Sequence, residues 1–211
     1  MRRVFVVFDV DGTLIDSADG IVAGFRHALA SVGFPVPREE ELRSDLGPPL
    51  GDLFAGLGLP PELMEPATAA YRAHYRETGM RRAHGYPGVP ELLDRLPTST
   101  VLATATAKLT TVATDFLALH DLSRHFAVVN GTDETHHTKT ETLTQTLELL
   151  GRPDPAQVLM VGDRHSDIAA AHACGVGSVA VLWGYGTASE LERSDPDHLI
   201  AQPAELLDLL N

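Results

Sequence analysis

Five short apolar runs recur along the chain, and segments with helical periodicity separate them. The runs are VFVVF at 4–8, VLATA at 101–105, FAVV at 126–129, VLMVG at 158–162 and SVAVL at 178–182. Continuous apolar runs of this length are typical of strands that are buried on both faces of a parallel sheet. Helices are predicted at 109–119, 140–150, 166–174 and 203–210. The pattern predicts an α/β fold with a Rossmann-like, doubly wound parallel sheet.

The interval from about Ser17 to His84 contains no comparable apolar run. It is predicted to form several helices, because Pro and Gly interrupt an otherwise helical pattern at FPVP, GPP and LPP. The alternative is a single domain with a long helical crossover, which would far exceed the usual length of a connection. We therefore predict an α/β core formed by residues 1–16 and 85–211, and an inserted α-helical cap domain formed by residues 17–84.

The charge balance narrows the range of partners. The chain has 211 residues and a formal net charge of -13, which argues against nucleic acid or an anionic membrane as a partner. No apolar run approaches the length of a membrane span or of a signal peptide, so a cytoplasmic protein is expected, as a monomer or weak homodimer. The basic residues comprise 14 Arg and only two Lys, Lys108 and Lys139. The single cysteine, Cys174, is predicted to be structural.

Polar side chains follow the predicted strands at the points where the strands end. The carboxyl ends of parallel strands meet at one edge of the sheet, where ligands bind in open α/β folds. Three of the predicted strands, with the helix before the fourth run, bring four carboxylates, a hydroxyl and two ammonium groups toward that edge: Asp9, Asp11, Thr106, Lys108, Lys139, Asp163 and Asp167. Such a set predicts a functional site rather than ordinary strand ends.

The segment DVDGT places two carboxylates two residues apart directly after a buried strand. Asp9 and Asp11 can point to the same side while the chain is extended. Their repulsion favours one protonated and one ionised, metal-bound carboxylate, which suits an acid/base beside a nucleophile. Gly12 allows a turn that other residues resist, and Thr13 can hydrogen-bond into it. A plain turn or helix cap is the structural alternative.

The segment GDRHSD has two acids four residues apart at the predicted start of a helix. Asp163 and Asp167 could both face a hard cation, or they could simply cap the helix and favour its dipole. The nearby pair at Asp9 and Asp11 favours metal binding. Thr106 and Lys139 suit an anion such as phosphate. For Lys108 a solvated lysine at a helix start is an equal alternative.

Taken in order, DVDGT, TAK at 106–108, Lys139 and GDRHSD resemble the four motifs of the haloacid dehalogenase superfamily of phosphotransferases. Within it, the chain resembles the phosphoglycolate phosphatase-like branch with a helical cap. The resemblance implies that Asp9 attacks phosphorus and forms an aspartyl-phosphate, while Asp11 acts as the general acid and then the general base.

The resemblance also implies a Mg²⁺ ion. Its ligands would be a carboxylate oxygen of Asp9, the main-chain carbonyl of Asp11 and the side chain of Asp163, with Asp167 placing a metal-bound water. The implied substrate-binding residues are Asp9, Gly12, Thr106, Ala107, Lys139 and, from the cap, Arg43. Ala107 stands where many relatives have Asn or Ser, so only its main-chain amide can contact phosphate.

Several assignments have rivals within the sequence. Thr104 competes with Thr106 for the second motif, although TAK resembles the family pattern better than TAT does. The cap offers further candidates for specificity beside Arg43 and the GPPL loop at 47–50: Arg72, His74, Arg76, Arg81 and Arg82. Most of these are expected to be solvated. His136 and His137 are expected to be exposed rather than metal ligands.

The function that the resemblance implies is a Mg²⁺-dependent phosphomonoester hydrolase acting on a small phosphorylated metabolite, with 2-phosphoglycolate as the first guess. The alternatives are a 5'-nucleotidase, a pyrophosphatase or a β-phosphoglucomutase-like phosphomutase. Phosphonate-cleaving relatives need a cap lysine, which residues 17–84 lack, and Asp11 argues against dehalogenation. A signalling or regulatory module phosphorylated on aspartate is the non-enzymatic alternative.

Overall fold

The structure is a computed structural model that describes residues 4–44, 46–133 and 138–210. His136 and His137 lie outside these residues. The chain divides into two compact units, which we call the core unit, Met1–Ile15 with Gly85–Asn211, and the helical unit, Asp16–His84. Each passage of the chain between the units falls in a two-residue strand, β2 (Ile15–Asp16) or β3 (His84–Gly85).

The core unit contains a parallel sheet of six strands, which confirms the predicted α/β fold class. The strands are β1 (Val4–Phe8), β4 (Thr100–Thr104), β6 (Phe126–Val128), β8 (Val158–Gly162), β9 (Gly177–Val181) and β10 (His198–Ile200), in the order β10-β9-β8-β1-β4-β6. The chain leaves β1 toward β4 and β6 on one side and returns to β8, β9 and β10 on the other. The carboxyl end of β1 is therefore the point where the strand order reverses, which is where open α/β sheets bind ligands.

Helices and two further short strands surround this sheet. They are β5 (Thr106–Leu109), β7 (Gly131–Thr132), α5 (Val89–Arg95), α6 (Thr110–Leu119), α7 (Lys139–Leu149), α8 (His165–Cys174), α9 (Ala188–Arg193) and α10 (Glu205–Leu209). The apolar residues of β1, β4 and β8 pack against α7 and α8 through buried side chains such as Val7, Met160 and Leu143, and Cys174 packs against this cluster. A second buried cluster consists of Ile168, Ala180 and Leu191. This burial is the main driving force that holds the sheet and helices together.

The helical unit contains α1 (Ala18–Ser31), α2 (Glu39–Ser44), α3 (Leu50–Gly56) and α4 (Pro61–Glu77), followed by a 3₁₀ turn at Gly79–Arg82. Pro49 and Pro60 precede α3 and α4, where the missing N–H of proline does least harm. The ring of Phe25 on α1 packs against the rings of Phe54 and Tyr71, with centroids 5.0 Å away in each case. These aromatic contacts give the helical unit a core of its own.

Across the part of the chain that the structure describes, no helix combines the length and the apolar character needed to cross a membrane.

Candidate active site

Three buried carboxylates converge at the carboxyl ends of β1 and β8. Asp9 follows β1 directly, and its backbone N–H donates to the carbonyl of Val161 at 2.9 Å. Asp163 follows β8, and Asp167 lies in the first turn of α8. The three residues each offer a carboxylate oxygen within 4.8 Å of the others. The fold thus brings together acids that are more than 150 residues apart in the sequence.

Both oxygens of Asp163 are held by hydrogen bonds. The Thr13 hydroxyl donates to Oδ1 at 3.1 Å, and the Tyr185 backbone N–H donates to Oδ2 at 2.7 Å. Burial, together with the charges of Asp167 and Asp9, nevertheless raises the pKa of Asp163 to about 8. Burial and the neighbouring negative charges therefore oppose ionisation of Asp163 at neutral pH.

Two turns press closely against Asp163. Gly12 has a φ of +80°, and a Cβ placed there would lie 2.2 Å from Oδ2 of Asp163. A Cβ at Gly184 would lie 2.3 Å from the Gly12 carbonyl oxygen, and one at Gly186 would lie 1.9 Å from the Asp163 carbonyl oxygen. Only glycine fits at these positions, for reasons of space and, at Gly12, also of conformation.

The loop after β9, WGYGT at 183–187, is the part of the site that the sequence motifs do not identify. The Trp183 indole N–H donates to the Thr13 carbonyl at 3.0 Å, and the Tyr185 backbone N–H donates to Oδ2 of Asp163. The loop therefore joins the turn after β1 to the end of β8. Two glycines flanking an aromatic residue after a buried strand were the available signal.

Lys139 is the cation that faces the cluster. It is the first residue of α7, whose start is fixed by a capping box between Thr138 and Glu141. Its Nζ lies 2.7 Å from Oδ2 of Asp9 and 2.9 Å from Oδ1 of Asp167, and donates to the Ala105 carbonyl at 3.2 Å. Burial alone would lower the pKa of Lys139, but Asp167 and Asp9 raise it above its ordinary value.

Asp167 combines the two roles that the sequence left open. Its Oδ2 accepts the Arg164 backbone N–H at 3.0 Å and so caps α8, while its Oδ1 faces Lys139. Burial raises the pKa of Asp167 to about 6, against the opposing effect of Lys139 and with a further increase from Asp9. One carboxylate thus serves both the helix start and the acidic cluster.

The two threonines that compete for the second motif, Thr104 and Thr106, differ in how their hydroxyl groups are bonded. Thr104 donates to the Asn130 carbonyl and accepts the Asn130 N–H, both at 2.9 Å, so its hydroxyl is used in the core. Asn130 also donates to Thr146 of α7 at 3.0 Å, which links β4 to the helix that carries Lys139. Thr106 is buried in β5 and accepts the Lys108 N–H at 3.3 Å. This difference favours Thr106 over Thr104 as the phosphate-binding hydroxyl, a role that stays a prediction.

Lys108 does not lie in solvent at a helix start, so that alternative is wrong. It belongs to β5, its side chain is only 9% exposed, and its Nζ lies 2.7 Å from Oδ2 of Asp11. The helix begins two residues later, at Thr110. The chain's two lysines are therefore each paired with one aspartate of DVDGT.

The candidate residues of the helical unit are engaged locally or exposed. Arg43 pairs with Asp19, and with Glu39 at 2.9 Å. The His74 ring stacks on the His27 ring, and burial, His27 and Arg82 lower the pKa of His74. The remaining arginines proposed for specificity are exposed: Arg72, Arg76, Arg81 and Arg82. In the core unit His165 is also exposed and bonds Glu190 through Nδ1 at 2.9 Å. The substrate-binding role of Arg43 stays a prediction.

The donor set of the acidic cluster fits a hard divalent cation. Asp9, Asp163 and Asp167 provide carboxylate oxygens, which Mg²⁺ prefers, and their combined charge exceeds that of Lys139. The raised pKa of Asp163 shows the same excess. The side chain of Asp11 lies outside this cluster; its predicted part in metal binding, through the main-chain carbonyl, is not tested by the side-chain geometry.

The comparisons with known proteins agree with the fold. The model of the haloacid dehalogenase-like hydrolase family matches residues 6–181. The chain belongs to this family of hydrolases, and the sequence resemblance is confirmed.

Among solved structures, a haloacid dehalogenase-like family hydrolase from Streptococcus pneumoniae matches with a TM-score of 0.92 and 29% identity, covering 99% of each chain. Among curated relatives, the tyrosine-protein kinase PtkA of Mycobacterium tuberculosis is 41% identical over 192 residues, covering 90% of this chain and 65% of the relative. The chain therefore spans about two thirds of the length of that relative.

Two further relatives match over nearly their whole length. A 5'-nucleotidase from Pseudomonas aeruginosa is 32% identical, covering 100% of this chain and 96% of the relative. A phosphoglycolate phosphatase from Vibrio vulnificus is 31% identical, covering 97% and 95%. The relatives thus share a fold and differ in the substrates that their names give.

Proposed function

We propose that the protein is a Mg²⁺-dependent phosphomonoester hydrolase that works through an aspartyl-phosphate on Asp9. The observation that carries the proposal is the environment of Asp9, whose carboxylate lies between the Lys139 ammonium, 2.7 Å away, and the acids Asp163 and Asp167. A carboxylate in this setting can attack phosphorus, while an adjacent cation offsets the negative charge that develops on the transferred group.

The chain's own residues account for both chemical steps. An Asp9 oxygen attacks the phosphorus, the Asp9 O–P bond forms as the ester P–O bond breaks, and Asp11 gives a proton to the departing oxygen. Water then attacks the phosphorus of the aspartyl-phosphate and loses a proton to Asp11. The Asp9 O–P bond breaks, and inorganic phosphate leaves with Asp9 restored. Lys139, the Thr106 hydroxyl and the backbone N–H of Ala107 would bind the phosphoryl oxygens. The Gly12 N–H already donates to the Ile15 carbonyl at 3.0 Å, so Gly12 would contribute by letting the turn approach the phosphate closely.

A magnesium ion held by Asp9, Asp163 and Asp167 would neutralise the charge of the carboxylates and of the phosphate that Asp9 attacks. Thr13 and Tyr185 would keep Asp163 oriented toward it, because each donates to a different oxygen of that carboxylate. The main-chain carbonyl of Asp11 would complete the protein ligands.

For the substrate, we propose a small phosphorylated metabolite, with 2-phosphoglycolate as the first candidate. The phosphoglycolate phosphatase from Vibrio vulnificus supports this choice, as does the GPPL segment, which resembles a cap loop of phosphoglycolate phosphatase-like enzymes. Nucleoside 5'-monophosphates, pyrophosphate and sugar phosphates are the competitors, the first supported by the Pseudomonas aeruginosa relative. We propose that the helical unit acts as the cap that selects among them, with Arg43 as one contact.

A second candidate is transfer of the phosphoryl group to a protein tyrosine rather than to water. One observation favours it: identity to the tyrosine-protein kinase PtkA, at 41%, exceeds that to the hydrolase relatives named above, at 32% and 31%. A phosphomutase would likewise pass the group to a second hydroxyl. A regulatory module would keep the phosphoryl group on Asp9.

The test is a screen of phosphate release from a panel of phosphate esters with Mg²⁺, beside incubation with γ-labelled ATP and a tyrosine peptide. The proposal predicts phosphate release that requires Mg²⁺ and is abolished in Asp9→Asn while the thermal unfolding curve stays cooperative. Appreciable Mg²⁺-dependent release by Asp9→Asn would contradict the nucleophile assignment. Labelling of the peptide without phosphate release would support the tyrosine candidate instead.

For partners and location, the sequence supports further proposals. They are that the protein is cytoplasmic, binds neither nucleic acid nor membranes, and exists as a monomer or weak homodimer. The net charge of -13 supports both exclusions, because nucleic acids and most membrane surfaces are anionic.

A further inference from the structure

The two lysines of the chain occupy matched positions at the end of β1. Lys139 pairs with Asp9 at 2.7 Å, and Lys108 pairs with Asp11 at the same distance. Their side chains are 8% and 9% exposed. A lysine so little exposed is uncommon unless it is paired, and ordering its long side chain opposes folding. The pairing of Lys139 fits phosphate binding, but that function does not explain Lys108.

The structure fixes Lys108 from several directions. Its backbone N–H donates to the Thr106 hydroxyl at 3.3 Å, and its carbonyl oxygen lies so close to Gly131 that a Cβ there would be 2.2 Å away. Its Nζ lies 4.8 Å from the centroid of the buried Phe116 ring, a distance at which an ammonium is attracted to the ring face. The ammonium is therefore held at a defined place beside Asp11.

We propose that Lys108 is a positioning residue that fixes the carboxylate of Asp11 for proton transfer. The Lys108 Nζ lies 2.7 Å from Oδ2 of Asp11, and this contact would restrict rotation of the carboxylate and keep it within reach of the leaving oxygen and the attacking water. This inference rests on the proposed phosphatase function. It assigns the ammonium to Asp11 and not to the substrate.

The arrangement matters because Asp11 has to serve two steps from one position. A carboxylate that must reach both a departing oxygen and an incoming water transfers protons well only within hydrogen-bond reach of each. A side chain free to rotate would spend much of its time out of reach. Loss of Lys108 should therefore slow the chemistry while leaving the affinity for substrate nearly unchanged.

The experiment is a double-mutant cycle on kcat and KM, using the ester that the wild-type chain hydrolyses best. The four proteins are the wild type, Lys108→Met, Asp11→Asn and the double variant. General acid–base catalysis contributes about 10²- to 10⁴-fold, so Asp11→Asn should lose that much kcat. Removing a residue that orients a reacting group costs about 10- to 100-fold, which is the loss expected for Lys108→Met.

The expected result is that Lys108→Met loses kcat with KM changed less than about threefold, and that the same substitution has almost no effect in the Asp11→Asn background. Losses that multiply in the double variant would overturn the proposal, because Lys108 would then act independently of Asp11. A raised KM with unchanged kcat would overturn it in favour of a substrate contact, and an unchanged Lys108→Met enzyme would overturn it outright.

Controls separate these outcomes from the general effect of losing a positive charge and from misfolding. Arg152→Met removes an equal charge from an exposed pair with Glu148, and is expected to leave kcat unchanged. If Lys108→Met fails to fold, Lys108→Gln, which removes the charge and shortens the side chain but stays polar, takes its place in the cycle. A wild-type chain that releases no phosphate from any ester would overturn the proposed function and this inference together, whereas an active wild type with independent losses overturns this inference alone.

Discussion

The two lysine pairs of the core unit and the arginine pairs of the helical unit differ in burial. In the core unit Lys139 and Lys108 are 8% and 9% exposed, and both pair with aspartates at 2.7 Å. In the helical unit Arg43 is 38% exposed, and its partners Asp19 and Glu39 are more exposed still. Buried charges are expensive to desolvate, whereas exposed pairs cost and contribute little.

The difference teaches where function constrains the chain. Stability alone does not favour three acids and an ammonium in one buried cluster, since apolar side chains of similar size would often serve as well. The chemistry proposed for Asp9 would supply a reason for keeping them. The exposed pairs of the helical unit impose no such requirement.

The largest effect is expected for Lys139→Met. Three buried carboxylates would then face one another without the Lys139 ammonium, and breaking a buried ion pair costs about 3–5 kcal/mol. Urea unfolding in the presence of a chelator should show a loss of that size. Phosphate release should fall by on the order of 10³-fold, because a charge aimed at the transferred group is lost. A variant as stable and active as the wild type would contradict the account.

A matched pair of glycine substitutions sharpens the comparison. In Gly184→Ala the new Cβ would lie 2.3 Å from Asp163 Cβ and the Gly12 carbonyl oxygen, so overpacking should cost about 1–3 kcal/mol and displace Asp163. In Gly51→Ala, on α3 of the helical unit, the Cβ meets nothing within 4 Å, and a gain of about 0.5–1 kcal/mol is expected. Unfolding curves for both, with a Mg²⁺ titration of Gly184→Ala by calorimetry, give the readout. If both substitutions stabilised the protein, or both destabilised it, the expected contrast between the two glycines would be contradicted.

A smaller effect on stability is expected from a change of pH, which alters the protonation of Asp163 and leaves every side chain in place. The pKa of Asp163 is raised from 3.8 to about 8, so the folded chain holds a proton there that the unfolded chain releases. The contribution of Asp163 to stability is therefore present near pH 4 and lost as the pH rises toward 8. Without metal, the wild type should lose stability relative to Asp163→Asn between pH 5 and 8.

Mg²⁺ should remove that loss in the wild type, because it binds the ionised acids of the folded state. The measurement is the urea midpoint at both pH values, with chelator or with Mg²⁺. A wild type that gains stability relative to Asp163→Asn as the pH rises without metal would contradict the assignment of burial as the dominant cause.

The smallest effect on stability is expected for Arg43→Met. Exposed ion pairs contribute up to about 1 kcal/mol, so the free energy of unfolding should change by less than that. If Arg43 contacts substrate as proposed, KM should rise while kcat stays nearly constant. A stability loss as large as that of Lys139→Met would contradict the contrast between the two units.

Much of the fold could be predicted from hydrophobic pattern, because buried parallel strands are continuous apolar runs. The five predicted runs lie within one residue of β1, β4, β6, β8 and β9. The sixth strand, His198–Ile200, was missed because it is three residues long and two of them are exposed. Helix α9, Ala188–Arg193, was missed because six residues carry too little periodicity to recognise.

The acids of the candidate site could be predicted because each follows a strand or opens a helix. Their supporting contacts could not, because these join residues that are far apart in sequence. The Thr13 hydroxyl reaches Asp163 across 150 positions, and the Trp183 indole reaches Thr13 across 170. Neither Thr13 nor Trp183 has a local pattern that names its partner. The same holds for Lys108, whose pairing with Asp11 depends on how β5 leaves the sheet.

The central claim is that Asp9 forms the covalent intermediate, and trapping tests it most directly. The protein and its best ester, with Mg²⁺, would be quenched with acid within milliseconds, treated with borohydride to reduce any acyl phosphate, and digested for mass spectrometry. The account predicts reduction of Asp9 to homoserine in the wild type, its absence in Asp9→Asn, and no reduction at Asp11. Reduction at another aspartate, or turnover with no reduced aspartate at any time point, would contradict it.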